Sequence, residues 1–245
     1  MSQPKIGIIM IDEPFYSKQF INEILNNFEV RFVLLHTDFV SLERIFKTFF
    51  IYGPIKFIST VVNVLKNSIN GGEINNILIS NQIPTMKTKN INSDDVFNFI
   101  ESKEIDVLIS FNCPEKIKTR ILNLPNIYPI NVHLGYLPTY RGLFPMFHAF
   151  INKENYAGVT IHIMNTKYDD GSILNQIKIP IQKDDTLLTL YEKAFSKIPK
   201  LTVETLIEVG NENNLLIEND VISSSYFSYP TLKQIFAYRK ILRNR

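Results

Sequence analysis

The chain reads as an α/β fold: a mostly parallel sheet with helices on both faces and a short C-terminal appendage. Three observations predict it. Short, apolar, β-branched runs recur at Lys5 to Met10, Val30 to His36, Ile105 to Phe111 and Tyr128 to His133, as strands covered on both faces do. Amphipathic stretches separate them, and successive strand–helix units build a parallel sheet. Past Gly142 the pattern changes to alternating, strand-like segments and longer helical ones.

The elements follow in order. Phe15 to Phe28 places Phe20, Ile21, Ile24 and Leu25 at helical spacing. Ser41 can cap a second helix that Gly53-Pro54 interrupts; it resumes over Ile55 to Asn67 and ends at Asn70-Gly-Gly72. A short strand is expected near Pro84 to Met86. Ser93-Asp94-Asp95 opens a helix to about Ser102, because small oxygen-bearing side chains accept bonds from its unpaired N–H groups. Glu115 to Leu122 is expected as a short helix and Pro145 to Asn152 as another. Val159 to Met164 and Ile173 to Ile179 alternate like strands joined by a loop, and Thr186 to Val209 reads as one long amphipathic helix. Tyr226 to Arg245 reads as a turn at Pro230 followed by a helix. The expected organisation is a main domain over 1–210 and an appendage over 211–245.

Composition excludes some classes. Hydrophobic residues make up 45% and charged residues 20% of 245, enough apolar material for a core without disulfides. A single cysteine, Cys113, rules out an intramolecular disulfide framework or a multi-cysteine metal centre, and no metal is expected. A net charge of +2 gives no broad electrostatic case for nucleic acid. Lys233, Arg239, Lys240, Arg243 and Arg245 form a basic end, read as a solvated helix face, with a phosphate patch as the sharper reading. The N-terminus lacks a signal-peptide layout, and the apolar region from Leu42 to Leu65 is broken by Lys47, Pro54 and Lys56. A cytoplasmic protein with no membrane insertion is expected. The Phe-rich stretch Ile45 to Tyr52 is expected to pack in the core, a partner subunit being the other reading.

One constellation carries chemistry. Asn131 and His133 stand two apart on an expected strand, so their side chains share a face. Asp169 follows in the loop between two later strands. An amide can donate to a developing oxyanion, an imidazole can take a proton, and a carboxylate beside it favours its charged form. His133 and Phe111 both fall at C-terminal strand ends, where ligands of parallel sheets bind. Read singly, these residues are weak signals, and Asp169-Asp170-Gly171 would be an ordinary turn. His162, His148 and His36 are expected to be structural, and Cys113 a small core or loop residue.

Three motifs in order resemble the folate-dependent formyltransferases: Asn131-Val-His133-Leu-Gly135-Tyr-Leu137-Pro138-Thr-Tyr140-Arg141-Gly142, then Gly158-Val-Thr-Ile-His162, then Asp169-Asp-Gly171-Ser-Ile173. The resemblance spans about Val107 to Gln176, with Gly135 standing where the family usually has serine. It implies a Rossmann-like sheet of the formyltransferase type and N10-formyltetrahydrofolate as formyl donor. It also implies Asn131, His133 and Asp169 as the catalytic residues. The pterin would lie between Phe111, Asn112, Cys113 and Pro114 on one side and Met164, Tyr168 and Asp170 on the other.

The branch it most resembles is the sugar N-formyltransferases, which act on nucleotide-linked amino sugars for surface polysaccharide. The loop after the first strand, Ile11-Asp12-Glu13-Pro14-Phe15, suits a phosphate badly, unlike that of the glycinamide ribonucleotide enzymes. About 35 residues follow the long helical segment, too few for the barrel of methionyl-tRNA formyltransferase. Ser225 to Pro230 resembles a motif of compact bacterial members. Tyr226, Phe227 and Tyr229 would then stack on a base and Arg141 would meet the substrate, packing of the aromatics against the body being the other reading. The implied substrate is a dTDP-linked amino sugar, with a homodimer expected. The alternatives are a methionyl-tRNA or other amine formyltransferase, or an inactive ligand-binding homologue.

Overall fold

The computed structural model describes residues 3–11, 16–37, 49–51, 53, 58–59, 62, 73–211, 216–220 and 225–244. Its main sheet has seven strands. β1 (Ile6–Ile11), β2 (Val30–His36), β3 (Thr85–Thr88), β4 (Val107–Phe111) and β5 (Tyr128–His133) run parallel. β7 (Tyr156–Ile163) joins β5 antiparallel, and β8 (Ile173–Pro180) joins β7 antiparallel. The spatial order is β3-β2-β1-β4-β5-β7-β8. The order turns about β1, so the crevice beyond the C-terminal ends of β1 and β4 is where such a sheet receives ligands. The architecture is mostly parallel, as the β-branched runs predict, and Rossmann-like, as the resemblance implies.

Strand pleat explains why both faces need cover. Ile6, Ile8 and Met10 of β1 enter one apolar cluster, while Ile9 enters the other. The first cluster takes Phe20, Ile21 and Ile24 from α1 (Ser17–Asn27), together with Ile74 and Leu78 from α2 (Glu73–Ser80). The second takes Val96 and Ile100 from α3 (Asp94–Glu101) and Ile121 and Leu122 from α4 (Thr119–Leu122). Ser93 caps α3 as its sequence predicts, accepting the Val96 N–H.

Two expectations need correction. The stretch from Glu115 is helical only from Thr119, because neighbours hold residues 115–118 otherwise. Glu115 accepts the Ile91 N–H at 2.7 Å and the Asn92 side-chain amide at 2.8 Å, and the Lys118 N–H donates to Asn92 at 2.7 Å. The segment read as one helix from Thr186 to Val209 is two, α6 (Leu187–Phe195) and α7 (Ile198–Gly210), with α5 (Pro145–Ile151) earlier in the chain. Pro199 is the cause: it has no N–H for the Phe195 carbonyl and its ring would collide with that group in a continuous helix. Thr186 caps α6 with a reciprocal box through Thr189.

Beyond α7, Ile217 bridges Ile173 antiparallel. β9 (Tyr226–Phe227) pairs parallel with β6 (Arg141–Gly142). α8 (Leu232–Arg243) follows the expected turn at Pro230 and buries Ile235 and Tyr238. Lys240 and Arg243 sit in its last turn, where they complement the helix dipole; Arg239 instead donates to the Phe50 carbonyl at 2.8 Å. Of the Phe-rich stretch, Ile51 is buried and Phe49 is partly exposed. The remainder, like the helix expected from Ser41 to Gly72, lies almost entirely outside the described residues. Among the described residues no helix is long and apolar enough to cross a membrane.

Candidate active site

The register of β5 against β7 builds the centre. Asn131 lies opposite His162, and His133 opposite Thr160. Asp169 arrives from the β7–β8 loop in a left-handed conformation, φ 49°. Its Oδ1 lies 3.5 Å from His133 Nδ1 and 3.6 Å from His162 Nε2. Its Oδ2 accepts the Gly142 N–H at 2.7 Å. An amide, two imidazoles and a carboxylate thus converge at the C-terminal end of β5.

The hydrogen bonds assign roles. His162 Nδ1 is 2.8 Å from the Ile163 carbonyl, which only accepts, so Nδ1 carries the proton. Nε2 is then an acceptor and takes an N–H of Asn131 at 3.2 Å. That bond turns the Asn131 amide nitrogen, which has a second N–H to offer, toward the cluster. His133 Nε2 likewise faces the Tyr140 carbonyl at 2.9 Å and carries the proton of the neutral ring. The lone pair at Nδ1 therefore faces Asp169.

Charge follows burial. His133 is buried, and desolvation holds its imidazole below the ordinary 6.5 despite the opposing pull of Asp169. The ring is neutral near pH 7 and able to accept a proton. Burial would raise the Asp169 carboxyl, but His133, His162 and the Gly142 N–H outweigh it and hold it below the usual carboxylate range. The Gly142 N–H is the contribution that does not depend on the protonation of either imidazole.

Gly135 is packed against this pair. A Cβ there would lie 2.5 Å from His133 Nε2 and 2.6 Å from the Tyr140 carbonyl oxygen. The His133–Tyr140 bond occupies the space that a side chain at 135 would need.

The sequence model of the formyl transferase family matches residues 57–206, more than half of the chain. The chain belongs to that family. It is 32% identical over 139 residues to a methionyl-tRNA formyltransferase of Macrococcus caseolyticus (strain JCSC5402), covering 56% of this chain and 45% of that protein. It is similar in fold to a sugar N-formyltransferase from Shewanella sp FDAARGOS_354, with TM-score 0.64, 21% identity and coverage of 98% and 88% of the two chains. A Helicobacter canadensis N-formyltransferase, solved with folinic acid and dTDP-3-aminofucose, gives TM-score 0.65 and 19% identity, with 98% and 81% covered. At such identities these structures show the shared fold. The chain spans less than half the length of the curated relatives it matches.

In this chain the two loops expected to hold a pterin lie side by side. Lys116 ties them, donating to the Thr166 carbonyl at 2.6 Å with its ammonium 4.6 Å from the Tyr168 ring. Asn112 is exposed and left-handed at φ 51°. Cys113, Pro114 and Met164 are half-buried. Burial pushes the Cys113 thiol up to about 11, so it is unsuited to nucleophilic work at neutral pH. Phe111 is in the core, its ring stacked 4.0 Å from Phe20, so only its backbone can meet a ligand. Asp170 pairs with Arg141 at 3.2 Å and with Lys167 at 3.7 Å.

The residues expected to hold substrate divide. Phe227 is stacked between Tyr140 at 5.2 Å and His148 at 4.4 Å, and Tyr229 packs on Phe144 at 4.4 Å. Tyr226 is exposed and faces exposed Tyr168 at 6.4 Å. Arg141 is committed to Asp170 and to the Tyr168 carbonyl, its Nε 3.1 Å from that oxygen. Among the described residues no cluster of His, Cys, Asp and Glu has the arrangement of a metal site. Sequence reasoning assigned His162 a structural place, and the structure puts it in contact distance of both Asn131 and Asp169. Its signal was the alternation of Gly158 to His162, which put His162 on a strand but not beside Asn131.

Proposed function

We propose that this formyl transferase moves a formyl group from N10-formyltetrahydrofolate to the amine of a nucleotide-linked amino-deoxy sugar. The first candidate is a dTDP-linked sugar such as dTDP-4-amino-4,6-dideoxyglucose, made for surface polysaccharide. The observation that carries the reading is the cluster at the end of β5: Asp169 lies 3.5 Å from His133 and 3.6 Å from His162, and His162 in turn holds the Asn131 amide at 3.2 Å.

Acyl transfer to an amine needs no protein nucleophile. The substrate nitrogen attacks the formyl carbon, a C–N bond forms, and negative charge gathers on the formyl oxygen. The second N–H of Asn131, held by His162, is placed to donate to that oxygen. The attacking nitrogen must lose a proton. His133 accepts it at Nδ1, where the new positive charge stands beside Asp169. The leaving nitrogen of the donor then takes that proton as its C–N bond breaks, returning His133 to neutrality.

The donor's flat, polar-edged ring suits two adjacent loops that offer backbone groups beside half-buried Cys113, Pro114 and Met164. The sugar-nucleotide reading draws on the exposed Tyr168–Tyr226 pair, which offers stacking faces to a base. It draws also on the alignment of the Shewanella sugar N-formyltransferase over 98% of this chain, the C-terminal part included. The reaction is placed in the cytoplasm, and a homodimer is expected.

A panel assay tests the reading. dTDP- and UDP-linked amino sugars and initiator methionyl-tRNA are each mixed with 10-formyltetrahydrofolate, following tetrahydrofolate release and the mass of the acceptor. Formylation of a nucleotide sugar supports it; formylation of tRNA alone, or of no amine, overturns it.

A further inference from the structure

The stretch 216–220 lies outside the residues matched by the family model, yet it reaches the loop that carries Asp169. Ile217 and Ile173 exchange two backbone bonds, each 2.9 Å. Two residues on, Asn219 is 8% exposed. Its Nδ2 donates to the Asp169 carbonyl at 3.0 Å and to the Gly171 carbonyl at 3.1 Å. Both partners only accept, so the nitrogen and not the oxygen of the amide must face them. The two N–H groups of one side chain thus straddle the turn.

From the other side the turn is pressed against β7. A Cβ at Gly171 would lie 1.9 Å from the Ile163 carbonyl oxygen, and the Ile163 N–H donates to Ser172 at 2.9 Å. Asp169 keeps its left-handed backbone within this clamp. A residue with a Cβ holds that conformation only where its surroundings enforce it.

We propose that Asn219 is a positioning residue: by binding the carbonyls on either side of Asp170, it holds Asp169 in the turn that aims its carboxylate at His133. It acts through Asp169 and touches no reacting atom. The segment after α7 therefore completes the catalytic loop in addition to packing against the body. The kinetic part of the test rests on the proposed function; the spectroscopic part does not.

The experiment uses the full chain. Asn219→Leu keeps the approximate size and removes both donors. The imidazole signals of His133 are followed by NMR against pH in the wild type, in Asn219→Leu and in Asp169→Asn. The groups facing His133 are Asp169, His162 and Arg141. If Asn219 aims Asp169, the His133 midpoint in Asn219→Leu moves down, in the direction of Asp169→Asn, because a retreating carboxylate no longer favours the imidazolium. With the dTDP-amino sugar accepted in the panel, kcat falls roughly ten- to a hundredfold with KM unchanged, the scale of a displacement of about 1 Å. Asn219→Ser, which can reach at most one carbonyl, is measured alongside in case the leucine variant does not fold. A folded variant whose His133 midpoint equals that of the wild type overturns the proposal, whatever its melting temperature. A shifted midpoint in a protein that formylates no amine leaves the proposal standing and removes the functional reading instead.

Discussion

Asn131 and His162 face each other across the antiparallel β5–β7 pair, with the Asn131 amide nitrogen 3.2 Å from His162 Nε2. The pairing makes His162 the group that orients the amide, because its Nδ1 proton is held by the Ile163 carbonyl.

His162→Phe should therefore slow formyl transfer by up to about a hundredfold, since misaligning one group by an ångström costs that much. Leaving the Asn131 N–H without its acceptor should also lower stability by about 1–3 kcal/mol. His162→Gln, whose carbonyl can accept the same N–H, should recover part of the rate. Steady-state kinetics with the accepted amine and denaturant melts check both effects; equal rates in the wild type and His162→Phe would deny the orienting role.

The buried His133–Asp169 pair predicts how stability depends on pH. The folded His133 midpoint lies below 6.5, so the unfolded chain binds more protons between the two values. Stability from this group is complete above about 6.5 and falls as the pH drops toward the folded midpoint. Asp169 is also depressed, so its contribution is present above 3.8 and falls as acid protonates it. Both act in the same direction, in successive windows. Chemical denaturation at a series of pH values should show His133→Gln flattening the slope just below 6.5 and Asp169→Asn flattening it below 3.8. Unchanged slopes in both variants would contradict the assignment.

Gly135 predicts an incompatibility with the serine usual in the family. With a Cβ only 2.5 Å from His133 Nε2, Gly135→Ser must push the imidazole or the Tyr140 carbonyl aside. A cost of about 1–3 kcal/mol is expected, as for other overpacked positions, with slower formyl transfer. Thermal melts and kinetics measure it, and a neutral substitution would mean that the His133–Tyr140 bond is not maintained in solution.

The parallel half of the fold was legible because its strands are covered on both faces, which leaves nearly continuous apolar runs such as Val30 to Leu35, broken only by Arg31, and Val107 to Phe111, broken only by Ser110. α3 was legible through Ser93, whose hydroxyl has one obvious use. The break before Pro199 was written in the chain but was outweighed by helical spacing on either side. Asn131, His133 and Asp169 were singled out through the order of their motifs, and the structure brings them to one end of β5. The cross-strand neighbour His162 was not found in that role, because a strand's register against a partner is set by packing that no local pattern encodes. Asn219 and the Gly142 N–H are harder still. One lies 50 residues from its partner's carbonyl, and the other is a backbone group. Phe227 was ambiguous for a different reason: an aromatic side chain satisfies a core and a base equally well, and only its stacking on Tyr140 and His148 distinguishes the two.

The most direct measurement is the rate of formyl transfer to the accepted amine by Asn131→Ala, His133→Ala and Asp169→Ala, each shown to be folded by circular dichroism. A loss of at least about a hundredfold is expected in each, the scale of one lost transition-state donor. Near-normal turnover in His133→Ala and Asp169→Ala would contradict it.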